Sequence, residues 1–205
     1  MILEACVETL GQAISAERQG ADQLELCDRL DLGGVSPNFE LVQSVLSQVN
    51  IPVKLMLRPR GGDFTYSSHE MHQMQNEIIR SAELRIAGFV FGALDHLNEI
   101  NIEQTNLICH WAQGRSVTFH KAIDLCPDIF RATSILNATP VKYILSSGGK
   151  ETAMRGAKTL YDMQKNSTIQ IIGAGKITDI NLTEIAKASG LNYFHGRKIV
   201  GSLIG

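Results

Sequence analysis

Short runs of apolar residues, often alternating with polar ones, occur eight times along the chain, and segments with helical periodicity separate them. The runs are rich in Val, Ile, Leu and Phe, and Gly, Pro or polar residues bound them, as is typical of β-strands. The pattern predicts eight strands: Ile2–Cys6, Gln23–Cys27, Pro52–Arg58, Gly88–Gly92, Ser116–His120, Val141–Ser146, Thr168–Gly173 and Asn192–His195.

Several of the intervening helices carry start signals. Ser67 and Glu70 have the spacing of a capping box, in which the two residues satisfy each other's free backbone N–H groups. Another helix is expected to begin at Asn101. We predict that the helix after the sixth strand already includes Ala153, and that Thr178 caps the helix after the seventh strand.

Strands that alternate with helices predict a parallel sheet, because parallel neighbours need crossover connections. Eight such units close into a (β/α)₈ barrel of the TIM type. An open doubly wound sheet is the competing topology, but no G-x-G-x-x-G sequence follows the first strand. We therefore predict an α/β TIM-type barrel, formed as a single domain by residues 1–205, with a shortened or missing last helix.

The alternation within the strands places charged residues inside this barrel. Leu3 and Ala5 suit the helix layer, so Glu4 and Cys6 face the barrel axis. The same rule turns five further side chains inward: Glu25, Cys27, Lys54, Arg58 and His120. Buried charges are costly unless they are paired. These residues form either an interior salt-bridge network or a polar ligand site at the C-terminal ends of the strands, where barrel active sites lie.

Two of the four cysteines end the first two predicted strands. The segments Leu3-Glu4-Ala5-Cys6 and Leu24-Glu25-Leu26-Cys27 share one pattern. Neighbouring strands lie about 4.8 Å apart, so Cys6 and Cys27 are expected side by side at the mouth of the barrel. Two adjacent thiolates can hold a soft ion such as Cu(I) or form a reversible disulfide. The alternative is a pair of inert core cysteines.

A dense group of polar residues follows the third strand in the segment Arg58-Pro59-Arg60-Gly61-Gly62-Asp63. Two arginines at the end of a strand can hold a carboxylate or a phosphate bidentately. Asp63 can orient an arginine or act as an acid or base. The alternative is an Arg–Asp brace that holds the loop in place.

His120 ends the fifth strand, and Asp124 follows it closely. A histidine that points into the barrel mouth is a natural general acid–base or ligand, and a carboxylate can orient its ring. Asp124 is the expected partner. A histidine on a barrel strand can equally be a satisfied core residue.

Four further residues at strand ends are candidates for binding an anion. Gly173 and Gly175 follow the seventh strand, where backbone N–H groups of barrels often bind phosphate. Ser146 ends the sixth strand and His195 the eighth. Glycines at this position also serve simple turns.

The composition argues against two classes of partner. The 205 residues include 21 acidic and 19 basic side chains, whereas nucleic-acid binders usually carry a strong basic excess. No apolar run approaches the roughly 20 residues that span a bilayer. The N-terminal residues do not have the pattern of a signal peptide. We therefore expect a cytoplasmic protein with a small-molecule or metal ligand, with a homodimer as one assembly that it could form.

At these motifs the sequence resembles the CutC family, which is named for copper homeostasis. The most specific matches are Glu4-Ala5-Cys6, Leu24-Glu25-Leu26-Cys27, Arg58-Pro59-Arg60-Gly61-Gly62-Asp63-Phe64 and Val117-Thr118-Phe119-His120-Lys121-Ala122-Ile123-Asp124. The resemblance implies a cytoplasmic (β/α)₈ barrel that handles copper, with Cu(I) at Cys6 and Cys27. The segment His195-Gly196-Arg197-Lys198 departs from the family, in which Ser-Ala tends to follow this histidine.

Two hypotheses of function follow from these observations. The first is a copper-binding protein that holds Cu(I) through Cys6 and Cys27, which the resemblance favours. The second is an isomerase, lyase or hydrolase that acts on a small anionic or phosphorylated metabolite. In that enzyme Arg58 and Arg60 would anchor the anion, and the acid–base residues would come from a set of five: Glu4, Glu25, Asp63, His120 and Asp124.

Overall fold

Eight parallel strands form a closed barrel in the computed structural model, which describes residues 1–204. Each strand pairs with its neighbours in chain order, and β1 pairs with β8 to close the ring. The strands are β1 (Ile2–Val7), β2 (Gln23–Leu26), β3 (Val53–Met56), β4 (Gly88–Phe91), β5 (Ser116–Phe119), β6 (Tyr143–Ser146), β7 (Gln170–Gly173) and β8 (Tyr193–Gly196). The expected (β/α)₈ topology is therefore confirmed.

Within residues 1–204, seven α-helices surround the barrel: α1 (Leu10–Arg18), α2 (Phe39–Gln48), α3 (Ser68–Arg80), α4 (Ile102–Trp111), α5 (Ile129–Asn137), α6 (Ala157–Lys165) and α7 (Leu182–Ser189). The capping box of Ser67 and Glu70 is present at the start of α3, and Asn101 caps α4, both as expected. Up to residue 204, no α-helix follows β8. None of the helices in this part of the chain is both long and apolar enough to cross a bilayer.

Two helices begin later than the sequence predicts. Ala153 lies before α6, because its N–H group donates to the carbonyl of Gly175 and ties it to the loop after β7. Thr178 is not the N-cap of α7; that position belongs to Asn181. Thr178 instead forms an isolated β-bridge with Lys198. In both places a contact between loops competes with the local helix signal.

The apolar core lies between the sheet and the helices. Ala5, Leu24, Leu55 and Phe119 belong to this layer, which confirms the alternation expected for their strands. The barrel interior contains two smaller apolar clusters. One contains Cys6, Cys27, Met56 and Val90, and the other contains Leu145, Ile172, Ala174 and Tyr193. Three charged side chains, Glu4, Glu25 and Lys54, are also buried inside the barrel.

Candidate functional site

Glu4 is the centre of a buried polar network inside the barrel. Its carboxylate lies 2.9 Å from Lys54 Nζ and accepts a hydrogen bond of 2.9 Å from the hydroxyl of Tyr193. Gln23 donates its side-chain amide to the same carboxylate, and His195 Nδ1 lies 3.0 Å away. Glu4 is 0% and Lys54 1% exposed. This pair confirms that both signs of charge meet inside the barrel.

Strand register explains why these residues meet. Glu4 is level with Gln23 on β2 and with His195 on β8, and Lys54 on β3 is level with Glu25. Because the strands of a closed barrel tilt and are staggered, a layer of its interior is built from alternate strands, so Glu4 on β1 meets Lys54 on β3 although the two are not level in register. The network is therefore a direct result of the inward alternation of four strands.

The charges in this layer perturb each other's ionisation. Burial alone raises the pKa of Glu4, but the Lys54 cation and the hydrogen bond with His195 together lower it well below its usual value. Burial alone lowers the pKa of His195, and the carboxylates of Glu25 and Glu4 raise it above the usual value. The layer thus holds Glu4 as a carboxylate and favours protonated His195.

Cys6 and Cys27 lie side by side closer to the mouth of the barrel than Glu4, as expected. Their sulfur atoms are 3.7 Å apart, and the Cys6 thiol donates to Glu25 Oε1 at 3.5 Å. The two sulfurs and a carboxylate oxygen of Glu25 all lie within 4.8 Å of one another. The other oxygen of Glu25, Oε2, is buried without a hydrogen-bond partner among residues 1–204. These three side chains have the composition of a metal site.

The two cysteines of this cluster have apolar packing neighbours. Met56 and Val90 pack against the two cysteines, and Leu30 covers them from the loop after β2. The hydrogen bond with Cys27, together with burial, raises the pKa of the Cys6 thiol well above its usual value. A metal ion must therefore displace the proton of Cys6 when it binds.

Arg58 lies at the barrel mouth, but its guanidinium holds loops together. It donates to the carbonyl oxygens of Leu32, Gly34 and Gly62 at 3.1, 2.9 and 2.8 Å. The group also stacks over the ring of Phe64, 4.7 Å from its centroid. Arg58 is thereby engaged by backbone groups rather than directed at an open ligand site.

Arg60 and Asp63 form the loop brace that was the alternative to an anion site. Arg60 pairs with Asp63 at 2.9 Å and also with Glu70 at the start of α3. Asp63 is 71% exposed, and its Oδ1 also accepts the N–H of Thr65. The structure therefore places Asp63 on the outer surface of the loop, apart from the inward carboxylates Glu4 and Glu25.

His120 and Asp124 do not pair with each other, contrary to the expectation. His120 Nδ1 accepts the N–H of Ala122 at 3.2 Å, and its ring packs against Phe64 at 4.8 Å between centroids. Asp124 instead accepts the hydroxyl of Ser146 at 2.6 Å. The N–H of Ser147 also donates to Asp124, so this carboxylate fixes the loop after β6 rather than the imidazole.

The glycines after β7 have packing roles. A Cβ atom on Gly173 would lie 3.0 Å from the ring of Phe194. Gly175 has a φ of +107°, and a Cβ there would lie 2.8 Å from that of Ser147. Close approach of neighbouring elements therefore accounts for both residues, and an anion-binding role for them stays a prediction.

The predicted site residues thus fall into separate groups. Five of them lie together inside the barrel: Glu4, Glu25, Cys6, Cys27 and His195. Arg58 and His120 lie beside Phe64, and Asp124 with Ser146 forms a third group. A cavity of about 790 Å³ lies outside the barrel between α2 and α3, and none of the predicted site residues lines it.

The strand alternation predicts Lys54 inside the barrel but gives it no role at the site, and Tyr193 is not among the predicted site residues. Tyr193 donates to Glu4 and accepts from Lys54 Nζ at 3.1 Å. A signal was available, because Tyr193 and His195 are two positions apart in one strand and must share a face.

Comparison with known proteins identifies relatives along nearly the whole chain. The model of the CutC family matches residues 1–200. A human protein named copper homeostasis protein cutC homolog is 39% identical over 198 residues, which cover 95% of this chain and 72% of the human protein. A family protein CutC from Histophilus somni (strain 2336) is 36% identical over 198 residues, covering 95% of this chain and 81% of its own.

Solved structures share the barrel fold of this chain. The crystal structure of CutC from Streptococcus agalactiae has a TM-score of 0.90 at 29% identity, covering 97% of this chain and 99% of that chain. A phosphonopyruvate hydrolase complex with oxalate and Mg²⁺ has a TM-score of 0.71 at 12% identity, covering 97% of this chain and 76% of that chain. The second likeness concerns the fold alone.

Proposed function

This chain belongs to the CutC family, and from that premise we propose that it binds copper as Cu(I) at Cys6 and Cys27 inside the barrel mouth. The observation that carries the proposal is the separation of 3.7 Å between the two sulfur atoms in an apolar setting. Thiolates are the protein ligands that soft Cu(I) prefers. The protein would thereby hold copper in its reduced form, Cu(I).

The geometry of the pair fits a bridging ion. With metal–sulfur bonds of about 2.3 Å, the value for zinc, one ion can join two sulfurs up to about 4.6 Å apart. The observed separation lies inside that limit. Glu25 is the candidate third ligand, since its carboxylate lies within 4.8 Å of both sulfurs and its Oε2 has no partner up to residue 204.

The expected compartment and assembly go with this proposal. A reducing cytoplasm keeps a pair of thiols free to bind a metal, so a cytoplasmic location supports the same function. All four cysteines of the chain are free thiols. The homodimer stays a prediction.

The alternative, an enzyme acting on a small anionic metabolite, has weaker support. Arg58 is occupied by three backbone carbonyls, and Arg60 braces its own loop. Glu4 is neutralised by Lys54. Glu4, Arg60 and Asp63 are therefore paired within the protein, whereas His120 Nε2 and Arg58 Nε are buried without a hydrogen-bond partner up to residue 204.

The direct test is Cu(I) affinity after loss of the thiols. The double variant Cys6→Ser/Cys27→Ser is expected to bind Cu(I) at least about 100-fold more weakly, since loss of a ligand exceeds the 10–100-fold cost of an outer-shell change. Affinity is measured in reducing buffer by competition with a chromogenic Cu(I) chelator.

The chain offers a matched control for this experiment. Cys109 and Cys126 are half-buried free thiols outside the cluster. The variant Cys109→Ser/Cys126→Ser should bind Cu(I) as the wild type does. If the Cys6/Cys27 variant bound Cu(I) as tightly as this control, copper binding at the pair would be ruled out.

A second prediction concerns Glu25 as the third ligand, which offers a hard oxygen donor. Glu25→Gln is expected to weaken Zn²⁺ binding by about 10–100-fold but to leave Cu(I) binding within about tenfold, because carboxylate oxygen suits the harder divalent ion. Parallel competition titrations with Zn²⁺ and Cu(I) measure both. Equal losses for the two ions would contradict a ligand role for Glu25. Glu103→Gln, an exposed residue in the first turn of α4, is the matched control and should leave the binding of both ions unchanged.

A further inference from the structure

A cavity of about 490 Å³ adjoins the proposed copper site from one side. It lies between α1 and the loops that follow β7 and β8. Cys6 lies in its wall with Gln12, and so do three cationic residues: Lys176, Arg197 and Lys198. Neither the copper ligands nor the buried network around Glu4 accounts for these cations.

The charged side chains in the cavity wall are all positive. No carboxylate is among its lining residues in the described part of the chain. Lys176 and Arg197 have acidic neighbours outside the wall, Glu151 at 2.5 Å and Glu8 at 3.7 Å. The Lys176 pair is exposed, and in the Arg197 pair the arginine is exposed and Glu8 is half-buried. Such pairs contribute little to stability, so a ligand can compete with them. The wall therefore favours a negatively charged occupant.

The cavity also marks the approach to the cysteine pair. Cys6 is 5% exposed and lines the cavity, whereas Cys27 is 0% exposed and does not. An ion that enters through the cavity reaches Cys6 first. Three cations along this route repel a bare copper cation, but they attract a complex whose net charge is negative. The positive charge of the wall thus favours copper that arrives in an anionic complex.

We propose that this cavity admits copper as a small anionic thiolate complex, whose carboxylates contact Arg197 and Lys198 while the metal passes to Cys6. The inference rests on the proposed function. In the transfer, the bond between copper and the carrier sulfur breaks and a bond from copper to Cys6 Sγ forms. The proton of Cys6 passes to the departing carrier thiolate, and copper stays Cu(I) throughout.

The test compares loading from two donors. Cu(I)–glutathione is the donor that carries carboxylates and Cu(I)–2-mercaptoethanol the donor that carries none, and stopped-flow mixing at low ionic strength gives the transfer rates. In Arg197→Glu/Lys198→Glu, transfer from glutathione is expected to slow by about tenfold or more, the scale of electrostatic steering. Transfer from 2-mercaptoethanol should stay within about twofold. Lys142→Glu, just before β6 at the other end of the barrel, is the matched control.

A second measurement uses the unaltered protein. S-methylglutathione keeps the carboxylates but has no free thiol, so it should compete with Cu(I)–glutathione and slow the transfer. Equal slowing of both donors in the variant, or no competition by S-methylglutathione, would overturn the inference. Loss of the proposed function has a different signature, namely unchanged Cu(I) affinity in Cys6→Ser/Cys27→Ser at equilibrium.

Discussion

Lys54→Met is expected to lower the free energy of unfolding by about 3–5 kcal/mol, because it leaves the carboxylate of Glu4 buried without its cation. Lys54 Nζ lies 2.9 Å from Glu4 and also contacts the hydroxyl of Tyr193. Methionine matches the length of the lysine stem, so the change removes the charge and leaves much of the packing. Urea unfolding followed by circular dichroism measures the loss.

Two further variants separate charge from packing. In Glu4→Gln/Lys54→Met neither charge is left, so the double variant should be more stable than Lys54→Met alone. Lys158→Met removes an exposed partner of Asp162 and should change stability by less than about 1 kcal/mol. A double variant less stable than Lys54→Met would show that the ion pair does not carry the effect.

The barrel could be predicted from the sequence because its main signal is local. Leu3 and Ala5 alternate with Glu4 and Cys6, and a strand has a fixed period of two. Alternation alone therefore decides which side chains enter the barrel, before any partner strand is known. Closure followed from the number of strand–helix units rather than from any single residue.

The helix starts at α6 and α7 were harder to predict because distant contacts decide them. Ala153 is bound by Gly175, and Thr178 pairs with Lys198. Both partners are remote in sequence, so a local propensity signal cannot include them.

The roles of Arg58 and Arg60 could not be decided from the sequence for a similar reason. A guanidinium fork binds a carboxylate, a phosphate or several carbonyls with the same donors. For Arg58 the partners are carbonyls of Leu32 and Gly34, more than twenty residues earlier. The cysteine pair was easier, because two inward-facing residues at the C-terminal ends of adjacent strands lie close together, although Cys6 is opposite Glu25 in register. Motifs fixed by strand geometry were therefore predictable, whereas motifs fixed by loop conformation were not.

His120 is expected to make the barrel sensitive to acid. Burial among Phe64 and Phe119 lowers the pKa of His120 to about 3, so the folded state keeps the ring neutral. The unfolded chain takes up the proton below a pKa of about 6.5. The contribution of neutral His120 to the free energy of unfolding is therefore fully present above pH 6.5 and is lost as the pH falls toward 3. Each pKa unit corresponds to about 1.4 kcal/mol, so pH 4.5 should already cost about 2–3 kcal/mol.

The variant His120→Asn isolates this contribution. The asparagine carbonyl can still accept the N–H of Ala122, as the ring nitrogen does, but it does not titrate. The variant loses some packing at every pH, so the informative quantity is the change in unfolding free energy between pH 7 and pH 4.5. That change should be about 2–3 kcal/mol smaller than in the wild type. His72→Asn, on the exposed face of α3, should retain the wild-type dependence. Parallel pH profiles for wild type and His120→Asn would mean that His120 titrates normally in the folded barrel.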